Sequence, residues 1–409
     1  LRSACAFIDD GEKTPPPHYR ALGRSAYLAA ALKADKKIAA MAGSFDFLLS
    51  ISPINTTHAC DEFLANKGKE PPNFHYRPLM VDPDLAKHNL YDIDLSQLED
   101  PLLETLLSEK RREIDAQLTM LATRNTPAFR PASMVLYGAV NDSLLADAEA
   151  ILADDGAKAQ RGPKADCVEI AKHARKLICD YQAIDKRFAA TVELREDVSG
   201  LMVSGGHLMV GRDSVMPAHR LPALLAHEVS VHLLTCFNGQ SQGLGIFASG
   251  LAGYEGVQEG LGVFAEWACG GLTQTRLRLI GARVIAVHSM LQGAEFIDTY
   301  RLLHRNHGFS ERGAFGITAR VFRSGGLAKD SIYLKGFRTV LDLVAAKASL
   351  DPFWLGKIAP RHVDVIEELL QRGLVHAPIF TPLFLAEKGT KKRIARLREG
   401  GDLGSLLNH

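Results

Sequence analysis

His227-Glu228-Val229-Ser230-Val231-His232 lies in the middle of an apolar run from Pro222 to Phe237 that reads as one helix ending at Asn238-Gly239. Two histidines with a glutamate directly after the first, on such a helix, outline a zinc-hydrolase motif. The departure is the spacing, five residues where H-E-x-x-H has four. At ~100° per residue, a straight α-helix sets positions five apart about 140° from each other, so both rings meet one ion only if the helix widens. A π-type turn of ~4.4 residues brings them to within roughly 50°, and such bulges collect at functional sites. The spacing therefore predicts a π irregularity, or a helix end, between His227 and His232. The plain alternative is a pair of unrelated histidines beside a glutamate.

The next helix argues for a site. Between Ser249 and Trp267, Glu255, Glu259 and Glu266 fall at i, i+4 and i+11, hence on one helical face. Carboxylates do not gather inside an apolar helix without a cation or partners. One of them as a metal ligand, with the others holding histidine N–H groups, is the expected arrangement. Gly253, Gly256 and Gly260 form a second stripe, each costing ~1 kcal/mol against alanine in a helix interior, which close helix packing would also explain.

Working outward, 48 basic against 47 acidic residues in a chain of 409 leave a net charge of +1. No broad field exists for a phosphate backbone or an anionic membrane, so neither nucleic acid nor membrane is expected as partner. A 46% hydrophobic content excludes a disordered or collagen-like chain. Six scattered cysteines without a C-x-x-C pair read as reduced, buried thiols of a cytoplasmic protein. The apolar stretch Leu279 to Met290 is broken by Arg283 and His288 before the ~20 residues that span a bilayer. Because residue 1 is Leu, the chain reads as trimmed, and a missing signal peptide says little about location.

The fold class expected is α+β, mostly helical. Helical periodicity covers 25–43 and 101–121, joined by a Pro-rich connector, Pro53 to Pro83, whose Phe74, Tyr76 and Leu79 ask for burial. A helix follows Met134 to Val140 and runs to about Asp154, and the polar, turn-rich Asp155 to Pro163 suggests a boundary. After a helix over Cys167 to Ile184 and a segment Ala190–Leu194, Leu201–Val203 and Leu208–Val210 flank Ser204-Gly205-Gly206 as a β-hairpin. Helices are then expected at 222–237, 251–269, 274–293, 313–323, 331–347 and 361–372. The division that follows is a helical N-terminal region at 1–155 packed on the core, a core at 156–385 and a basic tail at 386–409, whose Lys391-Lys392-Arg393 reads as a solvated helix end. His207 and His288 read as structural histidines. Gly243-Leu244-Gly245 and Gly260-Leu261-Gly262 follow no strand of a βαβ unit, which excludes them as nucleotide loops.

The sequence resembles the tyrosine carboxypeptidase-like zinc proteins, whose animal members remove the C-terminal tyrosine of α-tubulin and whose bacterial members are labelled flavohemoglobin expression-modulating QEGLA motif proteins. The residues that carry the resemblance are His227-Glu228-x-x-x-His232, Gln258-Glu259-Gly260-Leu261-Gly262, Arg320-Val321-Phe322-Arg323, Lys329-Asp330-Ser331-Ile332-Tyr333-Leu334 and Phe74-His75-Tyr76-Arg77-Pro78-Leu79. Gly262 stands where the QEGLA pattern has alanine. The resemblance implies a zincin-like metallopeptidase core with one Zn²⁺ per chain held by His227, His232 and Glu259. It assigns Glu228 as general base and gives a preference for a terminal Tyr or Phe. A peptide or protein C-terminal tail is the implied substrate.

An exopeptidase acting at a carboxyl end needs fixed cations near the metal. Arg320, Arg323, Lys329 and Lys335 cluster around Ser324-Gly325-Gly326, before a helix that Asp330 would cap, and Tyr333 is placed to donate to an oxyanion. Arg323 is the first choice for the substrate carboxylate and Lys329 the second. The alternatives are a zinc endopeptidase, which only the cation cluster separates from a carboxypeptidase, and a zinc-containing regulatory protein without peptidase activity. The sequence leaves the oligomeric state open.

Overall fold

The computed structural model describes residues 26–154, 162–198 and 200–400. The expectations that touch Cys5 and the polar stretch 155–161 lie outside the described residues. The chain is mostly helical with two small sheets. Local signals explain many helix starts. Asp100 accepts hydrogen bonds from the backbone of Leu102 and Leu103 ahead of Pro101–Ala122, and Asp166 does the same for Val168 and Glu169 ahead of Cys167–Ile184. The Pro-rich connector is ordered. Tyr76 forms a β-bridge with Pro53, and Phe74 packs edge-on to Phe296 and Phe315.

Several boundaries differ from the sequence reading. The run expected to end at Asn238-Gly239 is three successive pieces: an α-helix Leu221–His227, a π-helix Glu228–Leu233 and an α-helix Leu234–Ser241. Asn238 does not stop it, because its buried amide donates to the carbonyls of Trp354 and Phe380 and accepts from the N–H groups of Ile379 and Phe380. The helix expected from 251 begins at Glu255, since Gly253 turns the chain at φ 74°. Asp330 caps no helix. It is fully buried, and its carboxylate takes a bidentate pair of hydrogen bonds from Arg320.

The hairpin is present as β3 (Leu201–Ser204) and β4 (His207–Gly211), turned by Gly205 and Gly206 at φ 57° and 86°. A pairing the sequence did not signal joins it: β2 (Thr191–Arg195) runs parallel to β4, giving the order β2-β4-β3 with β3 at an edge. A second, two-stranded sheet pairs β1 (Lys164–Asp166) with β5 (Val215–Pro217).

The 255–268 helix is the scaffold of the interior. Along one side it meets the 332–345 helix so closely that a Cβ on Gly336 would overlap the carbonyl of Gly256, and one on Gly260 would overlap Gly336. Along another it packs on the 221–233 segment, and Gln258 donates to Thr235 in the Leu234–Ser241 helix that continues it. Val229, Val231, Leu261 and Phe264 of these elements are buried in the core. At the C-terminal end, Thr390 and Arg393 of the helix Lys388–Arg398 both donate to the carbonyl of Ala268, while Lys391 and Lys392 stay exposed. The described cysteines are free; Cys60 and Cys236 are buried and Cys179 is exposed, against the expectation of burial for all. Among the described residues, no helix is long and apolar enough to cross a membrane.

Candidate metal centre

The π-helix does what the five-residue spacing demanded. It sets the imidazoles of His227 and His232 with centroids 4.9 Å apart, and both Nε2 atoms approach one oxygen of Glu259, at 3.6 and 3.8 Å. Ligand atoms of the three residues all lie within 4.8 Å of one another, so this group can hold a metal ion. Two imidazoles and one carboxylate are the nitrogen and oxygen donors of a three-residue site with a position left open. Gly262 contributes space: a Cβ there, as in the alanine of the QEGLA pattern, would run into the His227 ring.

The surroundings fix the donors. Nδ1 of His227 lies 3.0 Å from Oε1 of Glu266, which orients the ring and leaves Nε2 for the ion. Glu266 is itself fully buried and is held by Arg220 at 3.0 Å and by Arg276 at 3.0 and 3.2 Å. Burial opposes charge on His232 and takes it down to about 3, a neutral imidazole ready to ligate. Burial acts on His227 in the same sense, but its hydrogen bonds to Glu259 and Glu266 outweigh that and raise it to about 10. Burial alone would raise Glu259; Lys329 and the two histidines hold it well below the usual carboxylate range. Glu228, one residue after the first histidine, faces the same cleft and is pushed up to about 7, chiefly by burial.

Of the three aligned glutamates, Glu259 joins the histidines and Glu266 holds a histidine N–H. Glu255 differs from expectation: it faces Lys329 Nζ at 3.5 Å, and Lys329 spans to Glu259 at the same distance. The cleft encloses about 450 Å³ and is lined by the metal-site residues and Glu228, by β3, and by Arg320, Arg323, Lys329 and Tyr333. These four are thus brought to the cleft, whereas Lys335 is exposed and outside it. Their engagements differ. Arg320 is tied to Asp330 and Lys329 to two glutamates, but among the described residues the Arg323 side chain hydrogen-bonds only the hydroxyl of Ser52, at 3.0 Å from Nη1, and its buried Nε has no partner.

A second such guanidinium escaped the sequence reading. Arg283 is 8% exposed, lines the cleft with an orphaned Nε, and lies over the Tyr333 ring at 4.9 Å. Burial pushes it down to about 10. It sits seven residues after Arg276, on the same face of the 274–291 helix, so one helix supplies both the arginine behind the metal site and an arginine in the cleft.

A family model for the microtubule-associated tyrosine carboxypeptidase matches residues 61–401. The chain belongs to this family. It is a peptidase family, and the match takes in every residue of the metal group and the cleft arginines. No curated protein matches the chain. Among solved structures, a candidate lipoprotein of unknown function from Shewanella oneidensis is similar at 14% identity and TM-score 0.35, over 84% of this chain and 73% of that one.

Proposed function

We propose that the protein is a zinc carboxypeptidase that removes one residue, preferably Tyr or Phe, from the C-terminal end of a peptide or protein. The observation that carries this reading is the presence, in one cleft, of the His227/His232/Glu259 group with Glu228 beside it and of two buried guanidiniums, Arg283 and Arg323, that form no direct ion pair with a carboxylate among the described residues. Family membership supports the peptidase class and supplies the aromatic preference.

His227, His232 and Glu259 would hold the zinc, in a zincin-like arrangement. Bound there, zinc supplies Lewis acidity toward water and the scissile carbonyl. Arg323 and Arg283 take the terminal carboxylate, an anion that adds to the partial compensation Asp330 gives these two buried cations. Arg320 and Lys329 are held in place by their own carboxylates, Asp330 and Glu255 with Glu259. The chain of the substrate lies along β3, which ends its sheet among the described residues and lines the cleft. Glu228 accepts the proton of the attacking water and passes it to the leaving amine. Tyr333 donates to the carbonyl oxygen as that atom gains negative charge. The free thiols among the described residues support a cytoplasmic address.

The test uses two peptides that differ only in ending with free Tyr or with its amide, each with zinc-loaded and with chelated protein. The free acid should be cleaved once, at its last bond, and only with metal present. Glu228→Gln should keep the metal and lose at least about a hundredfold in rate. Equal cleavage of acid and amide, or internal cuts, would make the protein an endopeptidase. No cleavage of either would favour a zinc protein that regulates by binding.

A further inference from the structure

Arg323 reaches the cleft from an unusual stretch of backbone. The next residue, Ser324, is left-handed at φ 56° and ψ 10°, and Gly325 and Gly326 follow at φ 111° and 122°. For a residue with a Cβ the left-handed region is disfavoured, so the turn that directs Arg323 has to be held from outside. Every polar group of Ser324 is engaged. Its N–H donates to the Tyr76 hydroxyl at 2.7 Å, its carbonyl accepts from Asn125 N–H at 2.8 Å, and its Oγ donates to the Ile51 carbonyl at 3.0 Å. Arg323 itself reaches Ser52.

All four partners come from residues 51–125, far in sequence from the metal ligands. Tyr76 is firmly set among them. It pairs with Pro53 across the bridge, and the Arg124 guanidinium lies over its ring at 5.4 Å while donating to the carbonyls of Ser50 and Arg77. Tyr76 does not line the cleft.

We infer that Tyr76 is a positioning residue: by accepting the Ser324 N–H it holds the left-handed turn that aims the Arg323 guanidinium into the cleft. Selection for a free carboxylate then depends on a side chain that never touches substrate. This rests on the carboxypeptidase reading. A buried N–H deprived of its acceptor is costly, and the cheapest relief is for Ser324 to leave the left-handed region and carry Arg323 with it.

Tyr76→Phe removes the acceptor and little else. Combined with Ser324→Gly, it tests the turn directly, since glycine enters the left-handed region without steric cost. Steady-state kinetics on the acid and amide peptides, with zinc affinity by chelator competition, give the readout. Tyr76→Phe should raise KM for the free acid about tenfold or more, with kcat, the amide rate and zinc affinity held within about twofold, and Ser324→Gly in the same protein should restore at least part of the loss. A variant that lowers both substrates equally, or melts earlier with its acid-to-amide ratio intact, would overturn the inference. If the wild-type protein itself shows no preference for the acid, the carboxypeptidase reading has failed instead. The turn is then read from a crystal structure of Tyr76→Phe: Ser324 at negative φ with the Arg323–Ser52 contact broken supports positioning by Tyr76, and an unchanged turn refutes it.

Discussion

Glu266 shows how much one side chain can carry. Its carboxylate orients His227 and ion-pairs with both Arg220 and Arg276, with no exposure to water. Glu266→Gln keeps an acceptor for the imidazole but loses the charge that steadies it, so zinc affinity should fall ~10- to 100-fold. Competition against a chelator of known affinity measures this; an unchanged constant would leave Glu266 a purely structural residue. The His227/His232 pair was legible in the sequence from its spacing, whereas Glu259 was one of three carboxylates on its helical face and only the family resemblance singled it out. Glu266 was legible through the same face. Glu255 was misread because its partner Lys329 lies in another element. Arg283 was read only as an interruption of an apolar stretch. The usable signal was its seven-residue offset from Arg276, which marks a polar stripe on a helix otherwise suited to burial. Nothing in sequence pairs Arg320 with Asp330, because that contact is made by a turn after the helix ends.

At the scale of elements, the π-helix was legible because two histidines five apart cannot face one point from a regular helix, and of the glycine stripe the helix-packing reading holds for Gly260. The two stripe glycines within the helix are not equivalent, which makes the packing testable. A Cβ on Gly260 meets the backbone of Gly336, so Gly260→Ala should cost about 1–3 kcal/mol by overpacking. A Cβ on Gly256 meets no atom within 4 Å, so Gly256→Ala should be neutral or gain up to about 1 kcal/mol from helix propensity. Denaturant melts of the two variants decide it; equal losses would mean that the interface is looser than described. What the sequence hid were chain stops overruled by tertiary bonds. Asn238-Gly239 looks like a helix end, yet the Asn238 amide is satisfied by segments more than a hundred residues away. The parallel pairing of β2 with β4 is likewise a long-range choice, with no local turn to announce it.

For the whole molecule, the metal group joins two separate segments, residues 227–232 and the 255–268 helix, and the cleft draws further on residues 283 and 320–333. An ion that binds only this assembled form stabilises it by mass action, about 2.7 kcal/mol at a hundredfold excess over Kd. Zinc should therefore raise the melting temperature by several degrees, chelator should reverse the rise, and His232→Ala should abolish it. A melting curve indifferent to zinc would count against the site as a whole. One feature of the fold bears on how such a protein survives at high concentration. β3 reads Leu-Met-Val-Ser, an apolar edge strand without a charged residue, the kind of edge that invites other sheets to stack on and aggregate. It lines the wall of a cleft and is half-buried at all four residues, so much of that edge is withdrawn from a second folded molecule. Recess does here what a gatekeeping lysine does on an open surface, and it leaves the strand free of any charge that would repel a peptide.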